Sequence, residues 1–356
     1  MLFEEPILQW LLQNGGFMDS QVFILNEKRN VTLTAYLQDD SQEFWRAKKR
    51  PAVVIFPGGA YAYCSDREAD PVAQEYLRAG YHAFVLRYSV GWENAVWPNP
   101  LEDYDQAMEL IAAHAKEWHL IPEKIAVIGF SAGGHLAACA ATMGKHRPAA
   151  AILAYPVILE GLAAICAKGA PGADKAVDSQ TCPCFIAATG TDTTVSAMNS
   201  LRFVEALYEN GISAELHLYA FGPHGFSTAR TSIADPAELC SRTLHWVEDS
   251  ISWLEDVFGA FTSGEMSSPR CPGRVRKDKD PYLSVDCLLA TIAENQIAVE
   301  RLNQLILVEE TTQKWIAEQK ENLLTSEMTL RSALQFLNVP GEVIRKADEI
   351  LSEIPN

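Results

Sequence analysis

The sequence predicts a doubly wound α/β fold, with a mostly parallel sheet and an appended C-terminal helical segment. From about residue 22 to residue 260, short apolar stretches typical of strands alternate with stretches of helical periodicity. The apolar stretches are continuous, as expected for strands covered on both faces of a parallel sheet. Right-handed crossovers between such strands place helices on both faces of the sheet.

The elements follow in chain order. The opening segment, MLFEEPILQWLLQNGG, has two early glutamates and no basic region, so it is interpreted as a short amphipathic helix and not as a signal peptide. Two strands joined by a short turn follow, QVFILN and VTLTAYL. Further strands are predicted at residues 51–56, 82–88, 125–130, 149–157, 184–190 and 214–221, and helices at residues 67–79, 103–118, 131–143, 196–210 and 236–258.

The C-terminal part breaks this alternation. Residues 262–282, TSGEMSSPRCPGRVRKDKDPY, are rich in Pro, Gly, Ser and basic residues and are predicted to be a linker after a catalytic domain of residues 1–261. Residues 283–356 are predicted to be wholly helical, with a long first helix, a short second helix after Leu323-Leu324, and Pro340 in the first turn of a third. A segment this small buries little core alone, so it is expected to associate with a second copy or dock on the first domain, and self-association is favoured.

Composition excludes several classes of function. The net charge of −17 argues against a nucleic-acid partner, because phosphates would be repelled. No apolar run is long enough to span a bilayer. The eight scattered cysteines favour free thiols in a reducing cytoplasm. Cys182-Pro-Cys184 has no second pair at zinc spacing, so it is interpreted as packing and no metal site is predicted.

Loops at the carboxyl ends of strands are where a sheet of this kind binds its ligands. The loop PGGAY follows the strand at 51–56, and its glycines let backbone N–H groups approach a ligand. In IAVIGFSAGGHLAA, Ser131 lies between two glycines where a strand turns into a helix. The pattern fits either a tight turn of small residues or a strained elbow that carries a nucleophile, with the N–H of Ala132 directed at an oxyanion.

Two further loops offer the base and the acid that a serine nucleophile needs. His224 lies in GPHG after the strand at 214–221, and Asp192 lies in TGTD after the strand at 184–190. Asp192 could instead cap the helix that starts near Ser196. His135 is an alternative base one helical turn beyond Ser131, and His217 falls in mid-strand. His224 is better placed than either.

These residues resemble the esterase branch of the α/β-hydrolase superfamily, particularly the bacterial acetyl-xylan and feruloyl esterase-like proteins. The resemblance covers roughly residues 20–258 and is carried by PGGAYAYCSDREADPVAQEYLRAGYHAFVLRY, GFSAGGHLAA, AYPVI and FGPHGFS. It implies that Ser131 is the nucleophile, His224 the base and Asp192 the acid, and that Gly59, Ala60 and Ala132 supply the oxyanion N–H groups. Relatives of hormone-sensitive lipase carry His-Gly-Gly-Gly where this chain has Pro57-Gly58-Gly59-Ala60, so the choice between Gly58, Gly59 and Ala60 stays open.

The expected function is a cytoplasmic serine carboxylesterase that needs no metal or cofactor and acts on acetyl-like or aryl esters of small molecules or glycans. Residues 156–181 are too few for a large lid, which favours short acyl groups. An amidase or peptidase on the same fold, and a non-catalytic scaffold assembled through the helical tail, are the alternatives. Aromatic residues predicted near the mouth of the site, either as stacking partners for substrate or as loop packing, are Tyr61, Tyr63, Trp92 and Trp97. Of these, Tyr61 and Trp97 are the predicted substrate contacts.

Overall fold

The computed structural model describes residues 19–39, 43–305 and 310–356, and the predicted N-terminal helix lies outside the described residues. Within these ranges the mostly parallel α/β fold is confirmed. The sheet has the strand order β1-β2-β4-β3-β5-β6-β7-β8, in which β1–β2 and β2–β4 pair antiparallel and all other neighbours pair parallel. The strands are β1 Asp19–Asn26, β2 Val31–Leu37, β3 Arg50–Phe56, β4 His82–Arg87, β5 Leu120–Phe130, β6 Ala150–Ala154, β7 Cys184–Thr189 and β8 Ala214–Tyr219.

Helices cover both faces of this sheet, as the continuous apolar strands predict. All seven residues of β3 are buried, and because side chains alternate along a strand they serve two cores. Val53 and Ile55 join a core formed with helices α1 and α6, whereas Phe56 packs edge-on against Tyr104 of α2. The helices preceding the tail are α1 Asp70–Arg78, α2 Asn99–His114, α3 Ala132–Met143, α4 Glu160–Cys166, α5 Met198–Glu209 and α6 Trp246–Phe258.

The register brings the ends of the central strands together. Ile55 of β3 pairs with Ile128 of β5, and Ile128 pairs with Ile152 of β6. The loops after β3, β5, β7 and β8 therefore leave the sheet at the same edge, where a parallel sheet binds ligands.

Three predicted helices differ from the observed ones. The helix predicted at 103–118 spans Asn99–His114, four residues earlier at each end. The helix predicted at 236–258 begins at Trp246, preceded by short 3₁₀ turns at Pro236–Glu238 and Ser241–His245. Leu239 and Cys240 between these turns are extended and buried, so packing of these two residues overrides the helical periodicity. The helix predicted at 67–79 likewise divides into a 3₁₀ turn, Asp66–Glu68, and helix α1.

The chain divides into two compact units, the first formed by residues 1–207 and 213–273 and the second by residues 208–212 and 274–356. The second unit has its own buried core, which includes Val285, Leu302 and Leu351. Its helices are α7 Leu289–Glu294, α8 Gln296–Leu305, α9 Glu310–Glu318, α10 Lys320–Leu324, α11 Leu330–Phe336 and α12 Gly341–Leu351. The boundaries at 261 and 283, drawn from composition, stay predictions.

The helical character of the tail is confirmed, but the single long helix predicted after residue 285 is broken. The side-chain oxygen of Asn295 accepts a hydrogen bond from the N–H of Ala298, so Asn295 caps a new helix where continuity was expected. Pro340 precedes α12 as its N-cap and does not lie inside the first turn. Across the described residues, no helix combines the length and apolar character needed to cross a membrane.

Candidate active site

Ser131 lies on a sharp turn between β5 and α3 with φ 53° and ψ −115°, a backbone conformation that is strained for a residue with a side chain. Hydrogen bonds hold it there: its N–H donates to the carbonyl of Ala154, and its carbonyl accepts from the N–H groups of His135 and Val157. The turn is thus fixed by the neighbouring strand and by the helix that follows.

The flanking glycines are required by close approach of the backbone. A Cβ atom on Gly129 would collide with the carbonyl oxygen of Gly133, and one on Gly133 would collide with the carbonyl oxygen of Phe56. Small residues are therefore needed for the turn, and the same turn raises Ser131 at the end of the strand. The two explanations of the sequence pattern are compatible, because packing the turn is what presents the serine.

The structure brings Ser131, His224 and Asp192 together in one hydrogen-bonded chain. The Oγ atom of Ser131 lies 2.9 Å from Nε2 of His224, and Nδ1 of His224 lies 2.6 Å from Oδ2 of Asp192. Ser131 follows β5, Asp192 follows β7 and His224 follows β8. Three residues far apart in the sequence therefore meet at the edge of the sheet predicted from its topology.

Asp192 is held in its charged form. Its side chain is only 2% exposed, and burial raises its pKa. Hydrogen bonds from His224 and from the N–H groups of Val195 and Thr194 outweigh that effect and bring the pKa below the ordinary value for an aspartate. The carboxylate thus caps the turn that leads to α5, as the alternative interpretation predicts, and also pairs with His224.

The loop after β3 offers backbone donors near Ser131. The N–H of Gly58 already donates to Oε2 of Glu68 at 2.8 Å, which removes Gly58 from the candidate oxyanion donors. The N–H groups of Gly59 and Ala60 have no hydrogen-bond acceptor in the part of the chain that the structure describes. Ala132 opens helix α3, where the first N–H groups have no partner within the helix.

Glu68 was not singled out by the sequence, yet it links the loops of the site. This carboxylate is 3% exposed, and besides Gly58 it accepts a 2.7 Å hydrogen bond from the hydroxyl of Tyr155. The Tyr155 oxygen in turn accepts from the N–H of Ser227, three residues after His224, and the Tyr155 ring lies edge-on to the His224 ring at 4.9 Å. Burial and then Glu68 raise the pKa of Tyr155 well above its ordinary value, so its hydroxyl stays protonated.

His135, the alternative base, is fully buried and does not contact Ser131 through its ring. Its Nδ1 lies 2.8 Å from the hydroxyl of Tyr61, and its Nε2 lies 2.8 Å from the carbonyl oxygen of Pro171. Since a carbonyl only accepts, Nε2 carries the proton and Nδ1 accepts from Tyr61. Burial lowers the pKa of His135 to about 4, so the ring is neutral at physiological pH.

The predicted substrate-contacting aromatics lie in different environments. Tyr61 is 1% exposed with its hydroxyl on His135, and the Trp97 ring packs edge-on against His135 at 5.5 Å. Tyr63 and Trp92 are instead 61% and 80% exposed. The Tyr63 ring lies against Gly59, and the N–H of Gly91, next to Trp92, donates to the carbonyl of Tyr61. The solvent-facing aromatics are therefore Tyr63 and Trp92.

His217 also lies apart from the candidate triad. It is a residue of β8, as predicted, and its Nε2 atom lies 2.8 Å from Oε1 of Glu215.

Comparison with known proteins gives related sequences and structures. The family model described as BD-FAE matches residues 43–157. A solved structure, MGS-M1, an α/β-hydrolase enzyme from a Medee basin deep-sea metagenome library, is 41% identical, covers 68% of this chain and 98% of its own, and has a TM-score of 0.62.

Two curated relatives are named for activities on xylan. An endo-1,4-beta-xylanase B of Butyrivibrio fibrisolvens is 31% identical over 256 residues, which are 64% of this chain and 38% of the relative. An acetylxylan esterase of Xylanibacter ruminicola is 29% identical over 197 residues, which are 49% of this chain and 41% of the relative. The chain thus spans about two fifths of the length of these relatives.

Proposed function

The chain belongs to the α/β-hydrolase family, and from that premise we propose that it is a serine carboxylesterase acting on short-chain, acetyl-like or aryl esters, with esters of carbohydrates among its substrates. The hydrogen-bonded chain Ser131–His224–Asp192 is the observation that carries this proposal. A relative described as an acetylxylan esterase supports the choice of acyl group.

In the first half of the reaction, the Oγ of Ser131 attacks the ester carbonyl carbon while its proton passes to Nε2 of His224. The charge that develops on the carbonyl oxygen is met by the N–H groups of Gly59 or Ala60 and of Ala132. The bond to the leaving oxygen then breaks, and His224 delivers the proton to that oxygen. The alcohol departs and an acyl-Ser131 ester remains.

In the second half, water attacks the acyl-enzyme and gives its proton to His224, which returns it to Ser131 as the acid leaves. Asp192 fixes the imidazole with Nδ1–H toward the carboxylate and stabilises the imidazolium that forms in both halves. Its pKa, held below the ordinary value mainly by His224 and the two backbone donors against the effect of burial, keeps it ionised. No step needs a metal or a cofactor.

The preference for small acyl groups is supported by the short segment between β6 and β7. This segment contains the seven-residue helix α4 and a 3₁₀ turn at Ala173–Ala176. The exposed rings of Tyr63 and Trp92 offer flat apolar surfaces to a sugar or to an aryl group. Tyr63 lies against Gly59, one of the proposed oxyanion donors.

The test is hydrolysis of p-nitrophenyl acetate and p-nitrophenyl butyrate by the wild type and by Ser131→Ala. We expect turnover by the wild type, faster on acetate, and a fall in kcat of about 10⁵-fold or more in the variant, because the attacking atom is gone. Ser268→Ala, an exposed serine of the linker region, is the matched control and should retain wild-type turnover.

Circular dichroism of the Ser131→Ala protein establishes that it is folded. Turnover that survives the substitution, or a wild type inactive on both esters, contradicts the proposal. Hydrolysis of matched anilides at rates similar to the esters would instead favour the amidase alternative.

We also propose that the protein acts in the cytoplasm.

We propose in addition that residues 283–356 mediate self-association. The second unit contains a mostly apolar groove of about 640 Å³, and Trp315 and Phe336 on its lining are 38% and 65% exposed with stacked rings. A second copy of this unit is the proposed occupant. Sedimentation should give a dimer or larger species for the wild type and a smaller one for Phe336→Glu; a monomeric wild type contradicts self-association.

A further inference from the structure

The segment Asp66-Arg67-Glu68 forms a short 3₁₀ turn that places three charged side chains beside the site. Both acidic residues are already paired. Asp66 lies 2.7 Å from Nη2 of Arg87, and buried Glu68 accepts hydrogen bonds from Gly58 and Tyr155. Arg67 is exposed, and its guanidinium has no acidic partner in any of the ranges that the structure describes.

The backbone of Arg67 is fixed to the loop that carries His224. Its carbonyl oxygen accepts a 2.5 Å hydrogen bond from the hydroxyl of Ser227, which is 0% exposed. Ser227 thus donates to Arg67 through its hydroxyl and to Tyr155 through its N–H. The backbone of Arg67, from which its side chain extends, is therefore held in a defined place relative to the loop of His224.

The guanidinium itself lies against Gly225, the residue that follows His224. A Cβ at Gly225 would collide with Nη2 of Arg67. Gly225 has φ +77°, a backbone conformation that favours glycine at this position. An unpaired cation is thus packed next to the histidine of the candidate triad.

The proposed reaction defines which part of a substrate this cation can meet. The acyl carbon is bonded to Ser131, and its oxygen is held by the oxyanion donors. The leaving oxygen must face Nε2 of His224, because that atom supplies its proton. The guanidinium packs against Gly225, the residue that follows His224, which favours the alcohol side of the ester over the acyl side.

A guanidinium offers several N–H donors in a plane that matches a carboxylate, and such charge-assisted pairs are stronger than neutral hydrogen bonds. The protein as a whole carries a net charge of −17, which disfavours anionic ligands unless a local cation attracts them. We propose that Arg67 forms a subsite for a carboxylate on the alcohol portion of the ester. The preferred substrates are then acyl esters of hydroxy acids, acetylated sugar acids among them. This inference rests on the proposed esterase function.

The experiment compares two nearly isosteric esters, anionic 4-acetoxybenzoate and neutral 4-acetoxybenzamide, with release of the phenol as the readout and each rate divided by that ester's rate of hydrolysis by hydroxide. For the wild type, kcat/KM should be about tenfold higher on the carboxylate. Arg67→Gln should lower kcat/KM on the carboxylate by about tenfold and leave the value on the amide within about twofold. Raising the salt to 0.5 M should shrink the wild-type preference, since the guanidinium is exposed.

Arg78→Gln is the matched control, an exposed arginine of α1 that is paired with Glu75 and should leave both rates unchanged. Equal rates on the two esters, or equal losses in Arg67→Gln, would overturn the subsite while Ser131-dependent hydrolysis of the amide-bearing ester leaves the esterase proposal standing. A wild type that hydrolyses neither these esters nor p-nitrophenyl acetate overturns both proposals.

Discussion

The loop that carries His224 and the buried helix α3 each hold a histidine with partners at both ring nitrogens. His224 lies between the carboxylate of Asp192 and the hydroxyl of Ser131, and its side chain is 19% exposed. His135 lies between the hydroxyl of Tyr61 and the carbonyl of Pro171 and is 0% exposed. Two similar hydrogen-bond patterns therefore occur in regions of opposite electrostatic character.

The difference teaches that the chemistry of a histidine is set by its partners more than by its distance from the nucleophile along the chain. A carboxylate stabilises an adjacent imidazolium, and Asp192 lies in this position next to His224, as the proposed proton transfers require. A buried ring that accepts from a tyrosine and donates to a carbonyl has no group to stabilise a second proton, and burial brings the pKa of His135 to about 4.

The comparison is tested most severely by the same substitution in both regions. His224→Gln should lower kcat on p-nitrophenyl acetate by about 10⁵-fold or more, because the general base is lost. His135→Gln should keep kcat within about tenfold and lower the free energy of unfolding by about 2–4 kcal/mol, because buried hydrogen bonds and packing are lost. Steady-state kinetics and urea unfolding measure the two effects. Similar losses of kcat in both folded variants would abolish the distinction.

Asp192→Asn tests whether the carboxylate is what separates the two histidines. The amide keeps the shape of the side chain but removes the charge that fixes the tautomer and stabilises the imidazolium, so kcat should fall by about 10⁴-fold. Asp178→Asn is the control, since that carboxylate pairs with Arg147 outside the candidate triad. A loss below about tenfold in Asp192→Asn would show that His224 works without its carboxylate.

The pH dependence of stability sharpens the comparison from the side of His135. His82 is buried in the same way, with Nε2 donating to the carbonyl of Trp118 and Nδ1 accepting from the N–H of Gln38, and burial lowers its pKa to about 4. Both pKa values lie below the unfolded value near 6.5, so the unfolded chain binds more protons between pH 6.5 and pH 4. The free energy of unfolding should therefore decrease as the pH is lowered from 6.5 to 4, by up to about 3 kcal/mol per histidine.

Urea unfolding at pH 7, 6, 5 and 4.5, followed by tryptophan fluorescence, measures this slope. The lowered pKa of Asp192 acts in the same direction but below its unfolded value near 4, so it does not account for a decline above pH 5. His135→Gln should show a shallower slope than the wild type. A wild-type stability that is flat from pH 7 to pH 5 would contradict the buried neutral assignment.

The smallest effects are expected for substitutions of two tyrosines, Tyr155 beside His224 and Tyr61 beside His135. Tyr155→Phe removes the donor to Glu68 and the acceptor for Ser227 beside His224, and should lower kcat by about tenfold with KM within about threefold, because the loop of the base shifts. Tyr61→Phe removes the donor to His135 and should lower the free energy of unfolding by about 1–2 kcal/mol with kcat unchanged. Steady-state kinetics and urea unfolding of both variants measure the two effects. A loss of stability alone in Tyr155→Phe, together with a loss of kcat in Tyr61→Phe, would contradict these roles.

Much of the fold and the candidate triad could be predicted from the sequence because the signals are local. The apolar strand before Ser131 and the glycines around it are visible within ten residues of sequence. Ser131, Asp192 and His224 lie one, three and five residues after the ends of β5, β7 and β8. Parallel topology then brings these positions to one edge without any knowledge of side-chain contacts.

Glu68 could not be predicted in the same way. Its partners Gly58 and Tyr155 are 10 and 87 residues away, and nothing in the stretch DREADP distinguishes a buried carboxylate from the acidic first turn of a helix. The choice between substrate contact and loop packing at Tyr61 stayed open for the same reason, since its partner His135 is 74 residues distant. Contacts between residues far apart in the sequence leave no periodic pattern from which they could be predicted.

The breaks in the helical tail had a signal that periodicity hides. Asn295 lies between residues of good helical pattern, and only its preference for caps indicates that one helix ends and another begins there. In the first unit, burial of Leu239 and Cys240 moved the start of α6 to Trp246, an effect of packing that local sequence does not contain.

The turn at Ser131 has a consequence for engineering substrate range. Side chains at Gly129 and Gly133 would meet backbone atoms, which no rotamer change can relieve, so a mutational library that varies these codons would yield almost only inactive clones. The exposed rings of Tyr63 and Trp92 carry no such restriction. New specificities are therefore best sought by saturating Tyr63 and Trp92 while Gly129 and Gly133 are kept constant.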